Sequence, residues 1–593
     1  MAENDHVGTV LDNVLLSLGW LGRYQRIQFA LAMMPCISSA FHTMSVVFIG
    51  RPVTHRCANI SNELTRDDAG FPEIFTTMSS TFNTSIQYGA CSIDLMNGTS
   101  VVHSEGCHGR YEYDEPSDRS FVSQWDLVCD GESLSDVSQT VLSCGQMFGA
   151  LFLTGLADVF GRKPMFMLTH LLLLSVAIGI AFSPNFLVFV ALRFFLGAVE
   201  QGTVLIANVV LMELMPIRHR ALPSQFCSYL WAVALLMLCL CAYVTKDVSW
   251  RYAELLLAVS SLPVLIQWWV TDETLRWLLA NNKFSRAKAI LVKAAKVNRA
   301  DVTKTLAILT AGTSMTSFDC SDTKFSSETQ DTKALKCDDC PTNMTTSGSE
   351  TTNQKKEMRF LAFVKNRNVL MVTVISCYIW FADSAVYYGL LMTSSSLADD
   401  LYLGFLLSVL VELPAAFAFS FLVNVVGSVG LPFAFAFLVN VLGRKRCASY
   451  SHLLAAFSLM AVVLLSYIPG TDSIPGLYWI QLTISLIGKF GITTGFSTMY
   501  LYSPELYPTN LRNTGFGISS LAARVGGMVA PYSRTFERHV AWGPGAVFSL
   551  LCLLVPVVIQ FLPETNGHEL PQTVQEMDEW LKKPKDRNTE NTI

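Results

Sequence analysis

The chain is short of charge. Asp, Glu, Lys and Arg together make 15% of its 593 residues, against about 25% in soluble domains. Hydrophobic residues make 51%, and the mean hydropathy is +0.39. There is no basic excess either: net charge is −5, which argues against a nucleic-acid partner. The opening residues, MAENDHVGTVLDN, lack a basic n-region, so no cleavable signal peptide is expected and the first span serves as its own insertion signal. No GxxxxGK(S/T) phosphate loop occurs, which excludes ATP binding of that kind. No nucleophile triad and no cluster with metal-ligand spacing appears, so neither an enzyme nor a cofactor is expected. A lone Cys337-Asp-Asp-Cys340 is too little for a zinc site.

What the chain has in quantity is apolar runs of spanning length. They lie near 27–49, 138–157, 165–182, 186–212, 223–244, 252–270, 369–393, 402–424, 447–468, 477–500, 514–532 and 545–562. The expected fold is therefore an all-α membrane protein with twelve transmembrane helices in the lipid bilayer. Basic clusters at Arg162-Lys163, Arg218 to Arg220, Arg276 to Lys304, Lys355 to Arg367, Arg444 to Arg446 and Arg512 fall on one set of loops. The positive-inside rule makes that set cytoplasmic, which places both termini inside a plasma membrane.

The polar segment 50–137 is then extracellular. It carries the N-x-S/T sequons at Asn59, Asn83 and Asn97, and the cysteines Cys57, Cys91, Cys107 and Cys129. An oxidising compartment would pair those cysteines, and four allow three pairings. Residues 271–368 form a cytoplasmic central loop, first basic and helical, then rich in Ser, Thr and Asp and linker-like. The expected division is 1–26, an N-terminal bundle 27–270, the central loop, a C-terminal bundle 369–562, and a tail 563–593.

The two halves repeat one another. Asp158-Val-Phe-Gly161-Arg162-Lys163 matches Asn440-Val-Leu-Gly443-Arg444-Lys445. Glu213-Leu-Met-Pro216 matches Glu505-Leu-Tyr-Pro508, whose segment runs on to Arg512. Asp272-Glu273-Thr274 matches Pro563-Glu564-Thr565. Three motifs in one order imply two six-helix units in parallel repeat, a transporter plan with the site between the halves. Asp158, Gly161, Arg162, Lys163, Glu213, Arg218, Gly443, Arg444, Glu505 and Arg512 are read as gating or structural residues. One anomaly is a near-repeat, LPAAFAFSFLVNVVG (413–427) and LPFAFAFLVNVLG (431–443). Two full spans there would reverse every later segment, so it reads as a tandem duplication.

These loop motifs, with Arg193-Phe-Phe-Leu-Gly197, resemble the major facilitator superfamily. Trp125-Asp-Leu-Val-Cys129, Trp380-Phe-Ala-Asp383-Ser384, Val411-Glu412-Leu-Pro414 and the segment Ser503 to Asn513 narrow the resemblance to the organic cation, carnitine and organic anion transporters. It implies alternating access and a central cavity lined by Trp380, Tyr387, Glu412, Phe496, Ser520 and Arg524. The motif departs from the superfamily pattern at Thr154 and Asn440.

Six ionisable residues lie inside spans: Arg193, Glu200, Asp383, Glu412, Lys489 and Arg524. Such residues are functional candidates. Glu412, Lys489 and Arg524 are assigned to substrate; Arg193 and Asp383 to structure or gating. A guanidinium suits a carboxylate, and aromatic faces suit an ammonium. The expected substrate is a small organic cation or a zwitterion such as carnitine or a betaine, with a co-transported ion possible. An organic anion is the alternative, and a receptor or adhesion protein is the rival of another class.

Overall fold

The computed structural model describes residues 11–58, 85–107, 111–216, 219, 221–313, 365–394, 400–416, 434–466, 476–508, 511–565, 571 and 573–582. Twelve helical segments organise it. The first six are α1 (Arg23–Ile49), α2 (Glu132–Phe160), α3 (Arg162–Ala181), α4 (Phe186–Leu214), α5 (Ala221–Val244) and α6 (Trp250–Val270). The second six are α7 (Arg367–Met392), α8 (Leu401–Ala416), α9 (Gly443–Ser466), α10 (Leu477–Glu505), α11 (Arg512–Val529) and α12 (Gly543–Phe561). Among the described residues, nine helices are long and apolar enough to cross a bilayer. Of the other three, α8 is described only in part, and α10 and α11 carry polar inner faces.

Three details differ from the sequence reading. Helix α2 begins at Glu132, not near 138; its first turns are polar, and hydropathy does not register a polar turn as part of a span. Helix α6 is not one rod. A 3-10 turn at Val259–Ser261 precedes Pro263, whose ring and missing N–H interrupt the α ladder. Residues 11–17, where the sequence reading assigned no element, are helical. Leu11, Val14, Leu15 and Leu18 are buried with Trp277, Leu278 and Leu291, on the short helices Leu275–Ala280 and Phe284–Asn298. The near-repeat at 413–443 lies mostly outside the described residues, as do Asn59, Asn83, Arg218 and the Cys337/Cys340 pair.

The segment between α1 and α2 forms two small antiparallel sheets. β1 (His55–Cys57) pairs with β5 (Tyr111–Tyr113). β2 (Ser85–Tyr88), β3 (Ser92–Asn97) and β4 (Ser100–Gly106) form a meander. The disulfides are Cys57–Cys107 and Cys91–Cys129. Asn97 is exposed where β3 turns into β4. An aromatic cluster ties this region to the bundle: Phe121 and Trp125 stack around Phe189 of α4 and Trp250 of α6, with centroids 4.9–6.3 Å apart. We call this side of the molecule the loop face, and the opposite side the basic face.

At the basic face the two halves repeat a single device. Gly161 (φ +113) ends α2 and Gly443 (φ +79) opens α9, both in a conformation that favours glycine. A Cβ at Gly161 would meet Glu273, and one at Gly443 would meet Glu564. The space is needed because each carboxylate caps the next helix. Glu273 accepts the N–H groups of Arg162 (3.1 Å) and Lys163 (3.1 Å). Glu564 accepts those of Arg444 (2.8 Å) and Lys445 (3.1 Å). Orphan donors and the positive helix end both favour the anion there. Burial pushes the Glu273 carboxyl up from its usual value, and the Thr274, Lys163 and Arg162 N–H groups pull it back. The side chains complete the cluster: Arg162 bonds Glu213 at 3.3 Å and also Asp158, and Arg444 bonds Glu505 at 3.1 Å.

Substituting Gly161→Ala or Gly443→Ala is expected to cost about 1–3 kcal/mol through forced backbone geometry. The apparent unfolding temperature of the purified protein in detergent should fall for both. Gly517→Ala, with open space around it, should leave it unchanged.

Candidate functional site

Eight of the spanning helices, α1, α2, α4, α5, α7, α8, α10 and α11, bring polar residues to the space between the halves. In the C-terminal half, Glu412 of α8 and Lys489 of α10 form an ion pair at 3.2 Å, both nearly fully buried. The Tyr387 hydroxyl lies 2.8 Å from both Glu412 oxygens. Lys489 Nζ also sits 3.7 Å from the Tyr387 ring centroid. Tyr387 in turn accepts the indole N–H of Trp231 at 2.9 Å, and Trp231 belongs to α5 of the other half. Glu412 is therefore not a free anion. Its charge is shared with Lys489, and aromatic rings surround the pair.

Those faces form one group. Phe496 packs edge-on to Tyr387 and Trp380, each at 5.8 Å, and lies 5.4 Å from Tyr500. Trp380 is also 4.7 Å from Tyr500 and 5.4 Å from Phe516. Trp380 is 1% exposed and its indole N–H has no protein acceptor. A buried indole normally finds one.

Across the interface, Arg524 of α11 donates to Gln146 of α2 at 3.3 Å. Ser520 precedes Arg524 by one helical turn, on the same face, and is half-buried. Gln146 donates to Glu200 of α4 at 3.3 Å, and Glu200 also accepts from Ser39 (2.6 Å) and Thr43 (2.7 Å) of α1. Glu200 does not pair directly with Arg524; the amide of Gln146 stands between them. A small cavity lies here, lined by Thr43, Gln139, Gln146, Tyr388 and Arg524. Both halves contribute to its wall.

Two further midplane charges have partners of their own. Asp383 of α7 bonds His452 of α9 at 2.7 Å. Arg193 bonds the His42 carbonyl (3.3 Å) and Gln139 (2.6 Å). Sequence reasoning passed over His42, Gln139, Gln146, Glu254 and His452. All are polar residues inside apolar runs, which is the signal that would have found them.

The halves are joined along the loop face and at mid-depth. Arg538 pairs with Glu132, and Thr535 with Asp136. Arg534 donates to the Gly50 carbonyl at 3.3 Å, and Thr140 to the Met528 carbonyl at 3.0 Å. Phe48 of α1 packs on Phe405 of α8 at 4.8 Å. At the basic face, the Glu213 and Glu505 clusters work within their own halves. The contacts therefore seal the loop face.

Two six-helix bundles enclosing a polar cavity, with one face sealed, define a membrane transporter rather than an enzyme. The sequence profile of the Major Facilitator Superfamily matches residues 132–531, and the chain belongs to that superfamily. Among curated proteins it is similar to the organic cation transporter protein of Drosophila melanogaster, 26% identical, covering 98% of this chain and 96% of that one. It is 27% identical to the human organic cation/carnitine transporter 2, covering 95% and 93%. It is 26% identical to the human organic anion transporter 3, covering 96% and 95%. Among solved structures it resembles the E. coli xylose transporter XylE in a partially occluded inward-open conformation. That match has a TM-score of 0.55 at 14% identity, covering 92% of this chain and all of the other.

Lys489→Ala should leave Glu412 buried without its cation, a loss of about 3–5 kcal/mol. The double substitution Lys489→Ala, Glu412→Gln should recover most of the lost thermal stability. A double variant no more stable than the single one would mean that the pair is not coupled.

Proposed function

We propose that the chain carries small organic ions bearing a carboxylate, zwitterions such as carnitine or betaines foremost, across the plasma membrane by alternating access. The observation that carries this reading is the division of charge around the cavity. Glu412 is neutralised by Lys489, whereas Arg524 borders the cavity with a neutral amide as its partner. A guanidinium in a low-dielectric site suits a carboxylate in bidentate geometry. The aromatic group of Trp380, Tyr387 and Phe496, with Ser520 beside Arg524, then offers π-faces to an ammonium. The curated relatives named above, carriers of organic cations, carnitine and organic anions by their names, support the same substrate range.

The basic face is read as cytoplasmic, with both termini there, on the clustered Arg and Lys of its loops. The loop face is extracellular, which agrees with two disulfides and with an exposed Asn97 sequon; glycosylation at Asn59 and Asn83 belongs to the same reading. The bundles are assigned to 27–270 and 369–562, joined by the loop 271–368. The Arg162, Glu213 and Glu273 cluster and its counterpart of Arg444, Glu505 and Glu564 hold each bundle rigid as the pair rocks. Asp158, Lys163, Arg193, Asp383 and Arg512 belong to that supporting set.

A second reading, transport of organic anions, draws on the same neutralisation of Glu412, since no free carboxylate would then repel an anion.

Uptake by cells or vesicles tests both. Labelled tetraethylammonium, benzoate and L-carnitine should compete for one saturable uptake, with L-carnitine preferred. Arg524→Asp should shift preference toward tetraethylammonium, by about tenfold for a contact worth some 1.4 kcal/mol. Unchanged selectivity removes Arg524 from the site. No saturable uptake of any organic ion would sink the transporter reading itself.

A further inference from the structure

Behind the cavity wall, the N-terminal bundle buries a second group of ionisable side chains. His42 of α1, Arg193 of α4 and Glu254 of α6 are all fully buried. His42 Nδ1 stands 3.8 Å from a carboxylate oxygen of Glu254. Neither His42 ring nitrogen has a hydrogen bond, and the Ser45 hydroxyl is the one donor beside the Glu254 carboxylate among the described residues. A buried carboxylate with a single neutral donor is strongly disfavoured as an anion. Arg193 spends its Nη groups elsewhere, on the His42 carbonyl, the Ser45 hydroxyl and Gln139. A proton held by the carboxylate, or shared with the imidazole, resolves the imbalance.

The group is wired to the substrate cavity. Gln139 donates to the Thr43 carbonyl at 2.9 Å. The Thr43 hydroxyl donates to Glu200, which Gln146 links to Arg524. Thr43, Gln139, Gln146 and Arg524 all line that cavity. Above Glu254, the Phe121, Trp125, Phe189 and Trp250 cluster shuts off the loop face.

We propose that His42 and Glu254 form a proton-binding site, and that the protein moves a proton together with its substrate. The proton comes from hydronium on one side, rests on the Glu254–His42 pair, and returns to water on the other. The reading rests on transport as argued above and names the co-transported ion. Coupling has an electrostatic basis. Protonating Glu254 removes one negative charge from a network that ends on Arg524, which strengthens the hold on a carboxylate there; linkage makes the effect mutual. The charged and titratable groups around the pair are Arg193 and Glu200 of α4. From α3 comes His170, which bonds Gln267 lower on α6. From α5 come Cys239, which bonds the Tyr402 carbonyl, and Cys241. A sodium ion fits less well, because Arg193 already places a cation among these groups.

Two measurements test this. Infrared spectra of the full-length protein in lipid at about pH 5 should show the carbonyl stretch of a buried protonated carboxyl, lost in Glu254→Gln. This arm needs no substrate. In proteoliposomes, an inward proton gradient should concentrate L-carnitine, by up to about tenfold per pH unit for one proton per cycle. Glu254→Gln should abolish the effect of the gradient while L-carnitine counterflow persists, and His42→Gln should shift the pH profile of uptake. Gradient-driven accumulation unchanged in Glu254→Gln overturns the proposal, as does an infrared band that survives that substitution. Saturable uptake that follows a sodium gradient and ignores a proton gradient also overturns it, and leaves the transport reading standing. A lost infrared band with no uptake of any probe would instead refute transport while supporting the proton site.

Discussion

The interior of this protein is organised by the expense of holding charge at membrane depth. Each ionisable side chain inside the spans must find an opposite charge, a set of dipoles or a proton. Lys489 meets Glu412, Asp383 meets His452, and Glu200 gathers two hydroxyls and an amide. Each of these pairings crosses from one helix to another, so satisfying the charges also fixes how the helices stand. Arg524 is the instructive case. Its guanidinium reaches a neutral amide across the interface of the halves, at the wall of the cavity that both halves build.

The two halves share a frame and diverge in content. At the basic face, Glu273 and Glu564 perform the same act: each fills the space beside a glycine of positive φ and caps the following helix. Rigid bundles of this kind rotate as bodies, because the strongest contacts stay within each half. Between the halves the contacts are lighter. Along the loop face they are the Arg538–Glu132 and Thr535–Asp136 pairs, carbonyl contacts and the Phe48–Phe405 edge, which is what an interface that opens and closes needs. Inside, the N-terminal half supplies hydroxyls, amides and buried acids, and the C-terminal half supplies aromatic rings, the Lys489–Glu412 pair and Arg524. A zwitterion lying across the interface would meet both.

Much of the frame was legible in the chain. The twelve apolar runs, the paired loop motifs and the split of basic residues follow from composition and order, because a bilayer imposes length and charge rules on any segment that crosses it. The polar first turns of α2 and the break at Pro263 in α6 were not, since hydropathy averages over both. The site was legible in part. Glu412, Lys489 and Arg524 stand out as charges within apolar runs, and Trp380, Tyr387 and Phe496 through family resemblance. Gln139, Gln146 and His42 do not stand out, because a single amide or imidazole inside a span is a weak signal until its neighbours are known.

The sequence alone determined that this is a membrane protein of two related halves and which residue types are available at mid-depth. It also carried both glutamates of the basic-face device, in recurrent motifs whose purpose was hidden. Only the tertiary structure decided who neutralises whom. That Lys489 takes Glu412, that Gln146 separates Glu200 from Arg524, and that Glu254 is buried beside His42 are facts of helix packing. Those contacts join residues far apart in the chain, and the energy of a buried charge depends on the few ångströms around it rather than on its place in the order of residues.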